Sequence, residues 1–265
     1  LMFLTDHKLP LGEQIAGFVD WLTLHGASFF DKISDTLEFL IHGVTNGLLW
    51  FNPLVLIALL VGLVHFIQRS WGLTVFALAS LLLILNLGYW QETMETLAQV
   101  IFATLVCIAV GVPLGIVAAR SDRFRAVLLP MLDIMQTMPS FVYLIPVLML
   151  FGLGKVPAIF ATVIYAAPPL IRLTDLGIRQ VDSEVMEAVN AFGANRWQQL
   201  FGVQLPLALP SIMAGINQTT MMALSMVVIA SMIGARGLGE DVLVGIQTLN
   251  VGKGLEAGLA IVKIG

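Results

Sequence analysis

Apolar residues along this chain fall in long blocks separated by short polar ones. Six blocks approach or exceed the roughly 20 residues that cross a hydrocarbon core as a helix. They are Pro53–Phe66 with its flanks, Trp71–Tyr89, 96–119, 131–151, 156–171 and 208–233. The fourth carries Pro139 and Pro146, and the fifth is short and broken by Pro168 and Pro169, so kinks are expected in both. Residues 255–265 read as the first half of a seventh span. Residues 11–50 have a different pattern. Apolar side chains recur there at helical spacing, first Ile15, Phe18, Val19 and Leu22, then Ile33, Leu37, Leu40, Ile41 and Val44. Asp20, Asp31, Asp35 and Glu38 lie among them. The pattern predicts two amphipathic helices, lying either along the membrane surface or against the chain's own spans. Three regions follow: 1–50 amphipathic, 51–92 with two spans, and 93–265 with the rest.

Composition makes the class firm. With 58% hydrophobic and 11% charged residues, the chain has too little polar surface for water, and an all-α polytopic membrane protein is predicted. A net charge of −4 argues against nucleic-acid binding. Cys107 has no partner for an internal disulfide, and His7, His25, His42 and His65 show no ligand spacing, so no metal site is expected. No basic segment precedes an apolar run at the start, so no cleavable signal peptide is expected. If the spans alternate, Arg69, Arg120, Arg123, Arg125, Arg172, Arg179 and Arg196 all fall on one side. The positive-inside rule places that side in the cytoplasm and the N-terminal region outside.

Between the fifth and sixth blocks lies a polar island, Glu187 to Pro206. Its acid and small residues favour a helix start, Gly193 breaks that helix or turns it, and Pro206 opens the next segment. A short helix followed by re-entry into the membrane fits, as does a plain connector. Glu187 either caps its own helix or pairs with a partner, and Arg179, Asp182 and Glu184 read as a solvated face. Polar residues inside the spans, Gln136, Thr137, Ser140 and Tyr143 in the fourth and Asn217, Gln218, Thr219, Thr220 and Ser225 in the sixth, need partners. They serve either as interhelical hydrogen bonds or as the lining of a path. No nucleotide loop or nucleophile–base set is present, so no enzymatic activity is expected of this chain.

The spacing of the island is Glu187-Ala188-Val189, three residues, Gly193, nine residues, Val203, one residue, Leu205-Pro206. It resembles the E-A-A…G…I-x-L-P loop of binding-protein-dependent ABC importers, departing only at Val189 and Val203. From about Thr96 to Leu249 the chain is similar to the permeases of glycine betaine/proline betaine/choline importers. Gln136–Tyr143, Pro168–Thr174, Ala214–Thr219 and Ala223–Ile233 carry that likeness. It implies a type I importer permease fold with a five-helix core in 93–265, seven spans in all, and a cytoplasmic coupling loop over 173–206. Glu187, Ala188, Phe192, Gly193, Ala194, Leu205 and Pro206 would dock on an ATP-binding subunit. The implied partners are two ATP-binding subunits holding ATP and Mg, a second permease copy, an external substrate-binding protein and the lipid bilayer. The implied location is the bacterial cytoplasmic (inner) membrane, with no cofactor bound by this chain. Transport of a quaternary-ammonium compatible solute follows from the likeness. The rival readings are a secondary transporter driven by an ion gradient, which would want buried carboxylates in the spans, and a non-transporting scaffold.

Overall fold

Helices α1 (Leu11–Trp50), α2 (Pro53–Gln68), α3 (Trp71–Asn86) and α4 (Trp90–Arg120) come first along the chain. The computed structural model describes residues 11–264, so the first ten residues of the N-terminal region lie outside the described residues. Then follow α5 (Asp122–Thr137), α6 (Ser140–Phe151), α7 (Lys155–Arg179), α8 (Ser183–Ala191) and α9 (Arg196–Gln199). A π turn over Leu200–Gln204 leads from α9 into α10 (Leu205–Ser231), and α11 (Leu238–Gln247) and α12 (Val251–Ile264) close the chain. No strand occurs among the described residues. Among the described residues three helices are long and apolar enough to cross a membrane: α4, α7 and the continuous rod Arg196–Ser231. Counting the bent pairs α1–α2 and α5–α6 as one span each makes five.

The core is a three-helix sandwich with α7 in the middle, packed against α4 on one side and α10 on the other. Cys107, Leu170, Ile171, Ala208, Ile212 and Ala223 are buried where they meet. Close approach depends on small residues. A Cβ on Gly115 would stand 2.5 Å from Thr174 Cβ and 2.8 Å from the Ile171 carbonyl oxygen. Neither neighbour is the free end of a flexible chain, so the helices would have to separate. Gly115→Val is therefore expected to cost about 1–3 kcal/mol or more, read as a lower unfolding midpoint in detergent. Gly62→Ala, inside α2 with nothing within 4 Å of the added carbon, should not lower the midpoint and should gain up to about 1 kcal/mol from helix propensity.

Of the kinks expected at proline, the one at Pro139 is present, and the break expected at Pro168 and Pro169 is not. The block 131–151 is divided between two helices bent by 100°. The ring of Pro139 disfavours helical geometry in the residue before it, and Met138 is extended at φ −69°, ψ 138°. By contrast α7 runs unbroken for 25 residues through Pro168 and Pro169. The two prolines leave the Ile164 and Tyr165 carbonyls without their usual N–H partners. At the next carbonyl, Ala166, the buried Thr219 hydroxyl of α10 donates at 2.9 Å and ties the two helices together.

Region 11–50 is also one helix rather than two. Gly26 does not end it, consistent with a cost of only about 1 kcal/mol for glycine inside a helix. Its second half lies on the chain's own spans: Leu37 and Ile41 pack with Ala103, Val156 and Ile159, and Phe30 meets Phe151 edge-on at 5.3 Å. Its first half leaves Phe18, Trp21 and Leu24 exposed.

At the ends of α4 and α7 far from the arginines, Lys155 pairs with Glu95 at 3.1 Å. Gln99 donates to the Arg236 carbonyl at 2.6 Å, and the Leu238 N–H donates to Thr96 Oγ1 at 2.9 Å. These bonds fasten the segment between α10 and α11 to α4. The expected half-span at 255–265 begins earlier, at Val251, in α12, which packs beside α11.

Candidate functional site

Where α7 ends, a hook begins. Asp182 caps α8, its side chain accepting from the Glu184 N–H at 2.8 Å. Helix α8 ends in a Schellman arrangement, Gly193 N–H to the Asn190 carbonyl at 2.9 Å and Ala194 N–H to the Val189 carbonyl at 3.3 Å. Gly193 sits at φ +75°, in the left-handed region. Asn195 then starts α9 with a capping box: its side chain accepts from Trp197 and Gln198, and Gln198 returns a bond to the Asn195 N–H at 2.8 Å. Gln199 ties the two arms together, donating to Asn190 Oδ1 at 2.7 Å and to the Ala194 carbonyl at 2.8 Å. The loop is thus a braced element with its own internal bonds. Asn195→Ala removes acceptors from two N–H groups and should cost about 1 kcal/mol, measurable as faster amide exchange across 195–199.

The hook continues without a stop into a membrane helix. Leu200–Gln204 forms the π turn, in which Leu200 is buried, and Pro206 sits in the first turn of α10. Re-entry therefore starts at Arg196, ten residues ahead of the expected Pro206. π turns of this kind are frequent at functional sites.

Below the hook, charges lock the arginine-rich end. Asp175 is 2% exposed, and its two oxygens accept from Arg125 Nε at 2.8 Å and Arg179 Nε at 2.9 Å. Arg179 also donates to Asp122 at 2.7 Å and to the Ala118 carbonyl at 2.9 Å. One cluster so joins the end of α4, the start of α5 and the end of α7. Arg120 donates to the Arg196 carbonyl and lies over the Trp197 ring, 5.8 Å from its centroid. The expected solvated face is corrected at Arg179, which belongs to the clamp, and holds for Asp182 and Glu184, which are exposed. Asp175 was absent from the residues singled out by sequence. Only its i,i+4 spacing to Arg179 was visible there.

Of the predicted docking residues, Glu187, Ala188, Phe192 and Gly193 are exposed on the hook, with Ala194 and Leu205 half-buried and Pro206 exposed. Phe192 is 91% exposed. Glu187 lies inside α8 and is not its cap, because Asp182 holds that place. Of its two expected roles, the internal one is removed.

The predicted path residues fall into two groups. Gln136 and Thr137 are exposed in the last turn of α5, where Thr137 bonds back to the Asp133 and Ile134 carbonyls. Ser140 opens α6, and the buried Tyr143 donates to the Met138 carbonyl at 3.3 Å. Asn217, Gln218 and Ser225 are all exposed on α10. Residues 213, 217, 221 and 225 recur every four positions, so Asn217 and Ser225 share an open stripe with Met213 and Met221. Among the described residues no hydrogen bond joins the two groups. The reading as bonds between this chain's own helices holds on α10 for Thr219, which donates to Ala166 of α7, and not for Asn217, Gln218 or Ser225.

Comparison with known proteins places this geometry among transporters. Residues 111–264 match the family described as binding-protein-dependent transport system inner membrane component. The glycine betaine transport system permease protein OpuAB of Bacillus subtilis (strain 168) is 46% identical over 97% of this chain and 91% of its own length. The glycine betaine/proline betaine transport system permease protein ProW of Escherichia coli (strain K12) is also 46% identical, over 97% of this chain and 73% of its own. Among solved structures, an inward-facing MetNI methionine ABC transporter superimposes with a TM-score of 0.57 at 22% identity, over 63% of this chain and 85% of that one. At that identity it speaks for the fold.

Proposed function

Because the chain belongs to the family of binding-protein-dependent transport system inner membrane components, we propose that it is the permease of an ATP-driven importer for glycine betaine and related quaternary-ammonium zwitterions. The names of the 46%-identical relatives support the solute. The hook is the observation that carries the mechanism. It presents an almost fully exposed Phe192 and an unpaired Glu187 on a braced loop, in rigid continuity with the long helix α10. An exposed aromatic residue is the kind of anchor that dominates protein interfaces.

In this reading the arginine-rich end faces the cytoplasm, the N-terminal region lies outside, and the chain crosses the inner membrane seven times. Each of two ATP-binding subunits, which hold ATP and Mg, receives one hook from one of two permease copies. Closure of the ATPase pair pulls the hooks together, and the π turn passes that movement to α10. The open stripe of α10, with Asn217, Gln218 and Ser225, then faces the second copy and a wet path between them. An external binding protein delivers the solute. The test is ATP hydrolysis by the assembled complex in proteoliposomes. Glycine betaine with its binding protein should stimulate hydrolysis and drive uptake, and a complex whose hydrolysis ignores both would defeat the proposal.

A further inference from the structure

At the end of the bundle away from the hook, a cleft of about 450 Å3 lies between α1 and the ends of α4 and α7, next to the segment after α10. Its lining is mostly polar and carries both signs of charge: Glu38 and His42 from α1, Glu95 from α4, Lys155 from α7, and Arg236. Lys155 and Glu95 pair with each other, and His42 stands 3.6 Å from Glu38, a pair only when the imidazole is protonated. Arg236 has no ion pair among the described residues. The bond from Gln99 to its carbonyl fixes the root of that side chain. Thr45 also lines the cleft. It is 3% exposed, and its buried hydroxyl has no hydrogen-bond partner. An unsatisfied buried hydroxyl costs roughly 1–3 kcal/mol, so an acceptor supplied from the cleft would find both a donor and a guanidinium.

We propose that this cleft is a solute site of the permease itself, which holds a small zwitterion with its carboxylate on Arg236 and its cationic head toward Glu38 and Glu95. A guanidinium matches a carboxylate in a planar, two-pronged way. A quaternary ammonium has no N–H to donate, so it needs nearby negative charge or an aromatic face. The cleft supplies the two carboxylates and no Phe, Tyr or Trp face. Recognition of the head is then by charge alone, which suits weak holding and quick release. The inference rests on the importer reading for its solute class. It concerns a place remote from the α10 stripe.

Equilibrium binding of radiolabelled glycine betaine to the permease–ATPase complex in lipid nanodiscs, without the binding protein, tests it. Saturable binding is expected, and choline, which lacks the carboxylate, and acetate, which lacks the cation, should each compete at least tenfold less well than unlabelled glycine betaine. Arg236→Gln and Glu38→Gln should each weaken binding at least tenfold, and Arg236→Lys should restore part of it, with unfolding midpoints unchanged for these exposed positions. The same complexes, given the binding protein, are assayed for ATP-driven uptake. Uptake without saturable binding overturns the site and leaves the importer reading standing, whereas binding without uptake does the reverse. If Asn217→Ala abolishes binding that Arg236→Gln spares, the solute sits on α10 and the inference is wrong.

Discussion

Asp175→Asn should abolish uptake and lower the stability of the permease together. The substitution keeps the shape of the side chain and removes the charge that two guanidiniums share. Breaking a buried pair costs roughly 3–5 kcal/mol. Arg125 and Arg179 are each about a third exposed, at 39% and 31%, so water relieves part of the loss and about 3 kcal/mol is expected. Function suffers beyond that figure, because the clamp sets where α4, α5 and α7 end relative to the hook. The measurements are the unfolding midpoint in detergent and uptake in proteoliposomes. Adding Arg125→Gln to Asp175→Asn should recover part of the midpoint, because one stranded charge is gone. A variant with full uptake would show that the clamp has no part in coupling.

Gly193→Asp should give the opposite division of effects. Nothing lies within 4 Å of a carbon added at this glycine. The cost within the chain is then only the left-handed backbone, about 1–2 kcal/mol, and aspartate is among the residues that tolerate it best. The midpoint should fall by a few degrees at most. The new carboxylate stands beside Phe192 on the face read as the ATPase contact, so ATP-driven uptake should fall at least tenfold. Co-purification of the ATP-binding subunit checks the cause. A stable permease that has lost its ATPase supports the docking role, and one that keeps both the ATPase and uptake removes it.

The contrast between these two residues shows what the chain discloses as a sequence. Gly193 was legible, because a helix stop, a following polar cap and a proline are local signals. The all-helical fold and the long apolar rods α4 and α10 were legible too, since hydropathy and charge asymmetry are sums over many residues. Asp175 was not. One partner lies four residues away, but Arg125 lies fifty positions upstream, and only the fold brings them to 2.8 Å. The bend at Met138 was legible as a kink at Pro139, but not its size of 100°. The continuity of α7 through Pro168 and Pro169 was hidden, because its packing between α4 and α10 is set by the fold. Region 11–50 misled in a similar way. Its two apolar runs differ in what they meet, the first being open and the second packed on the spans, while the backbone between them never breaks.

The π turn at Leu200–Gln204 has a consequence for how the hook is aimed. A π turn accommodates one residue more than the α-helix would. Each residue of an α-helix advances the chain by about 100° around the axis. Deleting Gly202 and letting the turn heal into plain helix would therefore remove the surplus residue and leave the hook near its present bearing on α10. Losing a residue from the plain helix of α10 while the π turn persists would instead swing the hook by roughly a quarter turn, with every local bond of the hook intact. The bearing of Phe192 is then a matter of counting, tolerant of a lost residue in the π turn and intolerant of one beside it.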